Sequence, residues 1–174
     1  YPKFLASYPT VEHLARARGA RVRESWNGLG YYRRAASLHA LAKVVVADHA
    51  GRLPEDPDTL RTLPGVGPYT AGAVASFAYE RREPAVDTNV ARVVRRAFHP
   101  RRPADPNDGV AWATARALLP RTGKAAWTFN QAIMELGALI CTARVARCGE
   151  CPVRRECKTG MRQEERDKRK RSSG

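Results

Sequence analysis

Four cysteines, Cys141, Cys148, Cys151 and Cys157, fall within 17 residues in the pattern C-x6-C-x2-C-x5-C, and the chain holds no others. Clustering of that kind points to shared ligation of one metal centre rather than to disulfides. Four thiolates suit tetrahedral zinc or a [4Fe-4S] cluster, and spacing alone does not choose between them. Arg144 and Arg147 lie between the first two cysteines, where a rigid metal loop can aim both guanidiniums at phosphates. A second candidate is Asp87, in Pro84-Ala85-Val86-Asp87-Thr88-Asn89-Val90, at the start of a helical pattern. It is placed to cap that helix, and N–H groups at a helix start favour a carboxylate's charged form. A third is the turn Leu63-Pro64-Gly65-Val66-Gly67-Pro68-Tyr69-Thr70. Glycines there permit positive φ and let a phosphate approach the N–H groups that open the next helix. The eighteen-residue step from Tyr69 to Asp87 can bring both side chains to one cleft. A fourth is Trp26-Asn27-Gly28-Leu29-Gly30-Tyr31-Tyr32-Arg33-Arg34-Ala35, which sets two flat phenol rings beside two arginines. That combination suits stacking on bases while phosphates are gripped, and it equally suits a core corner with a basic edge.

The elements that must position these residues are helical, since no segment keeps a period-2 strand pattern. Helices are expected over residues 34–49, 57–62, 69–79, 87–98, 110–119 and 124–140, the last with Trp127, Ile133, Leu136 and Ile140 facing inward. Residues 99–109, rich in Pro, Arg, Asp and Asn, read as an internal linker. The 174 residues are 43% apolar and 28% charged, enough to close a core and too apolar for disorder throughout. Their 31 Lys and Arg against 17 Asp and Glu leave +14, the balance of a protein whose partner is a polyanion. Residues 158–174 carry seven basic and three acidic side chains, so a surplus of ten remains on Tyr1–Cys157. That last stretch lacks apolar periodicity after Met161 and reads as a basic, solvated or disordered tail. The longest apolar runs, Val44–Ala47 and Ala71–Ala75, fall far short of the roughly 20 residues of a membrane span. No signal peptide opens the chain, and a soluble intracellular protein is expected.

Three of these strings together resemble the adenine glycosylase (MutY-type) branch of the helix-hairpin-helix DNA glycosylases. The stretch Trp26 to His39 follows the W-x-G-L-G-Y-Y-x-R-A-x-x-L-H signature of that branch, and Gly65 to Thr70 reads GVGPYT. The cysteines follow a helix reading FNQAIMELGALIC, as in the family's iron-sulfur loop. The resemblance implies an all-α fold, with a helical barrel lobe over residues 1–81, a lobe bearing the aspartate and a [4Fe-4S] cluster over 82–158, and the basic tail over 159–174. It favours the cluster over zinc, held by Cys141, Cys148, Cys151 and Cys157. It implies a hairpin of Gly65, Val66 and Gly67 that grips DNA, a Tyr31 that enters the duplex beside the lesion, and an Arg144 and Arg147 loop that touches DNA. Asp87 would stabilise the oxocarbenium-like sugar formed as an N-glycosidic bond breaks. Tyr69 takes the place where strand-cutting relatives carry a Schiff-base lysine, so a monofunctional enzyme is implied.

The implied substrate is double-stranded DNA containing A:G or A:8-oxoG mispairs, with adenine flipped from the stack before excision. A monomer in a bacterial cytoplasm, on the nucleoid, is the matching expectation. The pattern departs from the family at one point: the general-acid glutamate of the family belongs to a segment that would lie before Tyr1. None of Glu12, Glu24, Glu55, Glu83 or Glu135 stands in a matching context. These residues are therefore expected to bind duplex DNA and to remove adenine poorly by themselves. A thymine or uracil mismatch glycosylase, a non-catalytic iron-sulfur DNA-binding module and a zinc-binding adaptor are the competing readings.

Overall fold

The structure is a computed structural model describing residues 1–102 and 105–172. Among the described residues it is helical, and the only strand-like pairing is an isolated bridge between Cys141 and Ala146. The chain forms two compact units that divide at Ala71/Gly72, ten residues ahead of the 81/82 boundary expected from sequence. The division falls inside a helix because that helix's second half, with Gly72 and Ser76, is committed to contacts of the second unit.

In the first unit, α1 (Pro2–Ser7), α2 (Val11–Arg16) and α3 (Gly19–Ser25) precede the long α4 (Tyr32–Asp48), the short α5 (Pro57–Thr62) and the start of α6 (Pro68–Tyr79). Asp56 caps α5 by accepting from the Thr59 N–H at 2.7 Å, with Pro57 at the first helical position where its missing N–H costs nothing. Burial along α4 runs through Ala35, His39, Ala42 and Val45, while Leu38 and Leu41 are only half-buried. The small residues face inward because they let α2 and α3 come close, and Leu14, Val22 and Trp26 then fill the core between them.

The second unit is built around α7 (Thr88–Phe98), whose Val90, Ala91, Val93, Val94 and Ala97 are all buried. Against it pack α8 (Gly109–Leu118) through Ala111 and Ala115, and α9 (Gly123–Glu135) through Ile133. Asp108 caps α8 and Thr122 caps α9. Trp127 does not face inward; it is 38% exposed and lies edge-on to Phe77 at 6.0 Å. Helix α9 continues as one π-turn, Leu136–Ile140, closed by the Cys141 N–H on the Leu136 carbonyl at 2.7 Å.

The stretch read as a disordered tail is instead a helix, α10 (Lys158–Ser172). Thr159 donates to the Arg96 carbonyl at 2.6 Å, Lys158 to that of Phe98 at 3.0 Å, and Glu164 pairs with Lys168 at 3.1 Å one turn on. Hydrogen bonds to α7 and an i,i+4 ion pair replace the missing apolar stripe, and most of the helix stays solvated as its composition requires. No helix among the described residues is long and apolar enough to cross a membrane.

Candidate functional site

The aromatic string of the first unit is a clasped loop. The Trp26 indole N–H donates to the Gly30 carbonyl at 3.1 Å, and the Tyr32 hydroxyl donates to Asn27 Oδ1 at 3.0 Å. Between these clasps Tyr31 adopts φ 48°, ψ 51°, the left-handed region that a bulky residue rarely occupies, and its side chain is 76% exposed. Its one close ring partner is the Arg34 guanidinium, 4.8 Å from the centroid. An exposed aromatic held in a strained conformation by its surroundings is the kind of feature that function retains.

In the hairpin turn the two glycines are not equivalent. Gly65 has φ +76°, and a Cβ there would lie 2.4 Å from the Ser37 Cβ, so both conformation and space demand glycine. Gly67 has neither a positive φ nor any atom within 4 Å of such a Cβ, which leaves open room for a ligand against the backbone. The Val66 N–H is spent on the Leu63 carbonyl at 3.1 Å. Tyr69, 38% exposed, stands in the first turn of α6 in this unit, whereas Asp87 belongs to the second.

Asp87 does cap α7, and its carboxylate is fixed twice: Oδ1 accepts from the Val90 N–H at 2.7 Å and Oδ2 from Asn89 Nδ2 at 2.8 Å. The segment leading to it is fully buried at Pro84, Ala85 and Val86. Asn130, 2% exposed, holds that segment by accepting from the Ala85 N–H at 3.3 Å and donating to the Glu83 carbonyl at 2.8 Å and to Ser76 Oγ at 2.9 Å. Asn89 in turn accepts from Arg92 Nη2 at 2.8 Å. Arg92 also donates to the Gly137 carbonyl at 2.7 Å and, through Nε, to the Cys141 carbonyl at 2.8 Å. A continuous hydrogen-bonded path therefore runs from the aspartate to the first cysteine.

All four cysteines line one small pocket, together with Arg96 and Arg154. All are free thiols, and among the described residues no three His, Cys, Asp or Glu side chains stand in closed ligand geometry. The chemistry of the set nonetheless fits a metal centre. Burial first, then the neighbouring Cys157, Cys141 and Cys151, pushes the Cys148 thiol above its ordinary value, as expected of sulfurs crowded without a cation. Donors already address the sulfurs: Arg96 Nη1 lies 3.3 Å from Cys141 Sγ and the Gly160 N–H 3.4 Å from Cys157 Sγ, the outer contacts that metal-bound thiolates accept. Arg144 is exposed on the loop between the first two cysteines. Arg147 is engaged within the protein, donating to the Leu139 carbonyl and pairing with Glu150 at 3.2 Å.

Asn89, Arg92, Arg96 and Asn130 belong to no string that marks them in the sequence. The available signal was the spacing of Asn89, Arg92 and Arg96 on α7, one face of a helix whose other face is a valine and alanine core.

With this geometry in place, comparison with known proteins assigns the class. Residues 1–108 match the family described as HhH-GPD superfamily base excision DNA repair protein, and the chain belongs to it. Among named relatives it is 49% identical over 157 residues to an adenine DNA glycosylase of Mycobacterium tuberculosis, covering 88% of this chain and 50% of the relative. It is 38% identical over 162 residues to a thymine-DNA glycosylase of Aeropyrum pernix, covering 90% and 72%. The chain thus spans about half the length of the adenine-specific relatives that it matches. Its fold matches a solved thermostable thymine-DNA glycosylase with a TM-score of 0.84 at 30% identity, over 93% of this chain and 75% of that one.

Proposed function

We propose that these residues form the DNA-gripping and charge-stabilising core of a monofunctional base excision glycosylase for adenine mispaired with guanine or 8-oxoguanine. The observation that carries the reading is the Asp87 carboxylate, set at a helix start by two donors and backed by a buried, hydrogen-bonded segment. Once adenine is flipped out and protonated, its bond to the sugar breaks and positive charge develops on the ring; a pre-oriented carboxylate stabilises that charge without reorganising. Water then adds to the sugar, leaving an abasic site and free adenine. Tyr69, lacking an amine, forms no Schiff base, so the backbone stays intact. Tyr31 serves as the wedge at the lesion, the Gly65-Val66-Gly67 turn and Arg144 grip the strand, and Arg147 braces the loop that carries Arg144. The 49% identity to an adenine-specific relative supports this choice of base.

Cys141, Cys148, Cys151 and Cys157 would hold a [4Fe-4S] cluster. When bound, the cluster supplies a compact cationic anchor that fixes the loop and the Cys141 end of the Arg92 path. Absorbance near 400 nm with about four irons per chain is expected; a colourless protein carrying one zinc would overturn the assignment.

The thymine-DNA glycosylase relatives favour a second reading, T:G specificity. Single-turnover excision from A:8-oxoG, A:G and T:G duplexes, with a glutamate-bearing early segment joined to these residues, decides between them. Adenine release is expected, and Asp87→Asn should reduce it about 10²–10³-fold. An Asp87→Asn variant with full activity would leave only a DNA-binding module.

A further inference from the structure

A second basic feature lies away from every residue assigned above except the cysteine lobe that it borders. The C-terminal turn of α7 and the first turns of α10 enclose a pocket lined by Arg95, Arg96, Arg162, Arg166, Thr159 and Gln163. Its lining includes four arginines and no carboxylate. The nearby Glu164 is committed to Lys168 at 3.1 Å and Arg154 at 3.8 Å. Two of the arginines are held in place by the fold. Arg96 donates to the carbonyls of Thr142 at 2.7 Å and Ala143 at 3.3 Å, which neutralises none of its charge. Arg95 reaches only the Pro100 carbonyl, at 3.4 Å, and its Nε is buried with no hydrogen-bond partner among the described residues. A buried donor left unpaired costs about 1–3 kcal/mol. Like charges drawn into one concavity repel further unless an anion joins them. Capping of the α7 dipole accounts for one or two cations at a helix end; it does not account for Arg162 and Arg166, which come from another helix.

We propose that this pocket binds a phosphate group. The ligand chemistry is a tetrahedral oxyanion taking charge-assisted hydrogen bonds from several guanidiniums. Its source is the phosphodiester backbone of the DNA, a contact that rests on the DNA-repair reading above; a free phosphate is the other source with the same chemistry.

Arg162 and Arg166 are exposed on α10, so the double variant Arg162→Gln/Arg166→Gln leaves the core untouched. Lys168→Gln/Arg169→Gln removes the same charge from the same helix outside the pocket. Two measurements on the full 174-residue chain suffice: calorimetric titration with inorganic pyrophosphate, and anisotropy of a labelled duplex across a salt series. We expect pyrophosphate binding to be lost in the pocket variant and kept in the control. We also expect the slope of log affinity against log salt to fall by about 1.8 in the pocket variant, roughly 0.9 per phosphate contact. Loss of pyrophosphate binding with an unchanged duplex slope would overturn DNA as the source and leave a free-phosphate site. Equal behaviour of the pocket variant and the wild type in both titrations would overturn the site. If the wild type binds no duplex at all, the DNA-repair reading fails, and the pyrophosphate titration still decides the pocket.

Discussion

The clasped loop of the first unit and the aspartate lobe of the second hold their functional side chains in opposite ways. Tyr31 is presented by partners four or five residues apart, Trp26 with Gly30 and Asn27 with Tyr32, and its own ring is mostly in solvent. Asp87 rests on partners 45 to 49 residues away in sequence, since Asn130 reaches back to Ala85 and Arg92 reaches forward to Gly137 and Cys141. A local clasp can be altered with little effect on the rest of the fold. A path of long-range hydrogen bonds couples the reacting group to the stability of its whole unit.

Arg92→Gln should show this coupling most strongly. It removes charged donors from Asn89, Gly137 and Cys141, for a loss of about 3 kcal/mol. In a chain of this size that lowers Tm by roughly 6–12 °C, and excision should fall with it; a variant that keeps both Tm and activity would break the comparison. Gly65→Ala should cost about 1–3 kcal/mol by thermal unfolding, because the turn needs φ +76° and Ser37 fills the space beyond. Gly67→Ala should leave Tm unchanged and weaken duplex binding, which separates the turn's structural glycine from its ligand-facing one. Tyr31→Gly should hold stability within about 1 kcal/mol, relief of the left-handed backbone offsetting the lost contact with Arg34. Duplex affinity should nevertheless drop, read by anisotropy.

The smallest effect concerns α10. The Lys168 pair, then Arg154, holds the Glu164 carboxyl below its usual range. A depressed carboxyl stabilises the folded helix above its ordinary value and loses that contribution as pH falls through the lowered one. Amide exchange in α10 should therefore quicken at low pH, and Glu164→Gln should flatten the dependence.

This contrast also explains what the sequence discloses. Both ends of α5 and the first turn of α6 follow from Asp56-Pro57 and Gly67-Pro68, because caps and prolines act on their immediate neighbours. Asp87 as a cap is legible for the same reason. The short helices α1 to α3, six or seven residues each, lack the length to show a period. Helix α10 is hidden by its charge, since what orders it is a set of hydrogen bonds to the end of α7. Arg92 and Asn130 are invisible in a linear reading because their meaning lies in residues brought to them by the fold.

The π-turn at Leu136–Ile140 carries one residue more than an α-helix would use over the same rise. That extra residue advances everything after it by about 100° around the axis. With this phase the Gly137 and Cys141 carbonyls both meet Arg92, and Gly137 lies so close to Asn89 that a Cβ would sit 2.8 Å from that residue's own. The constraint on this stretch is thus one of length as much as of composition. Apolar residues can be exchanged within it, but a single deletion would turn Cys141 away from its three companions and cut the aspartate's path at its far end.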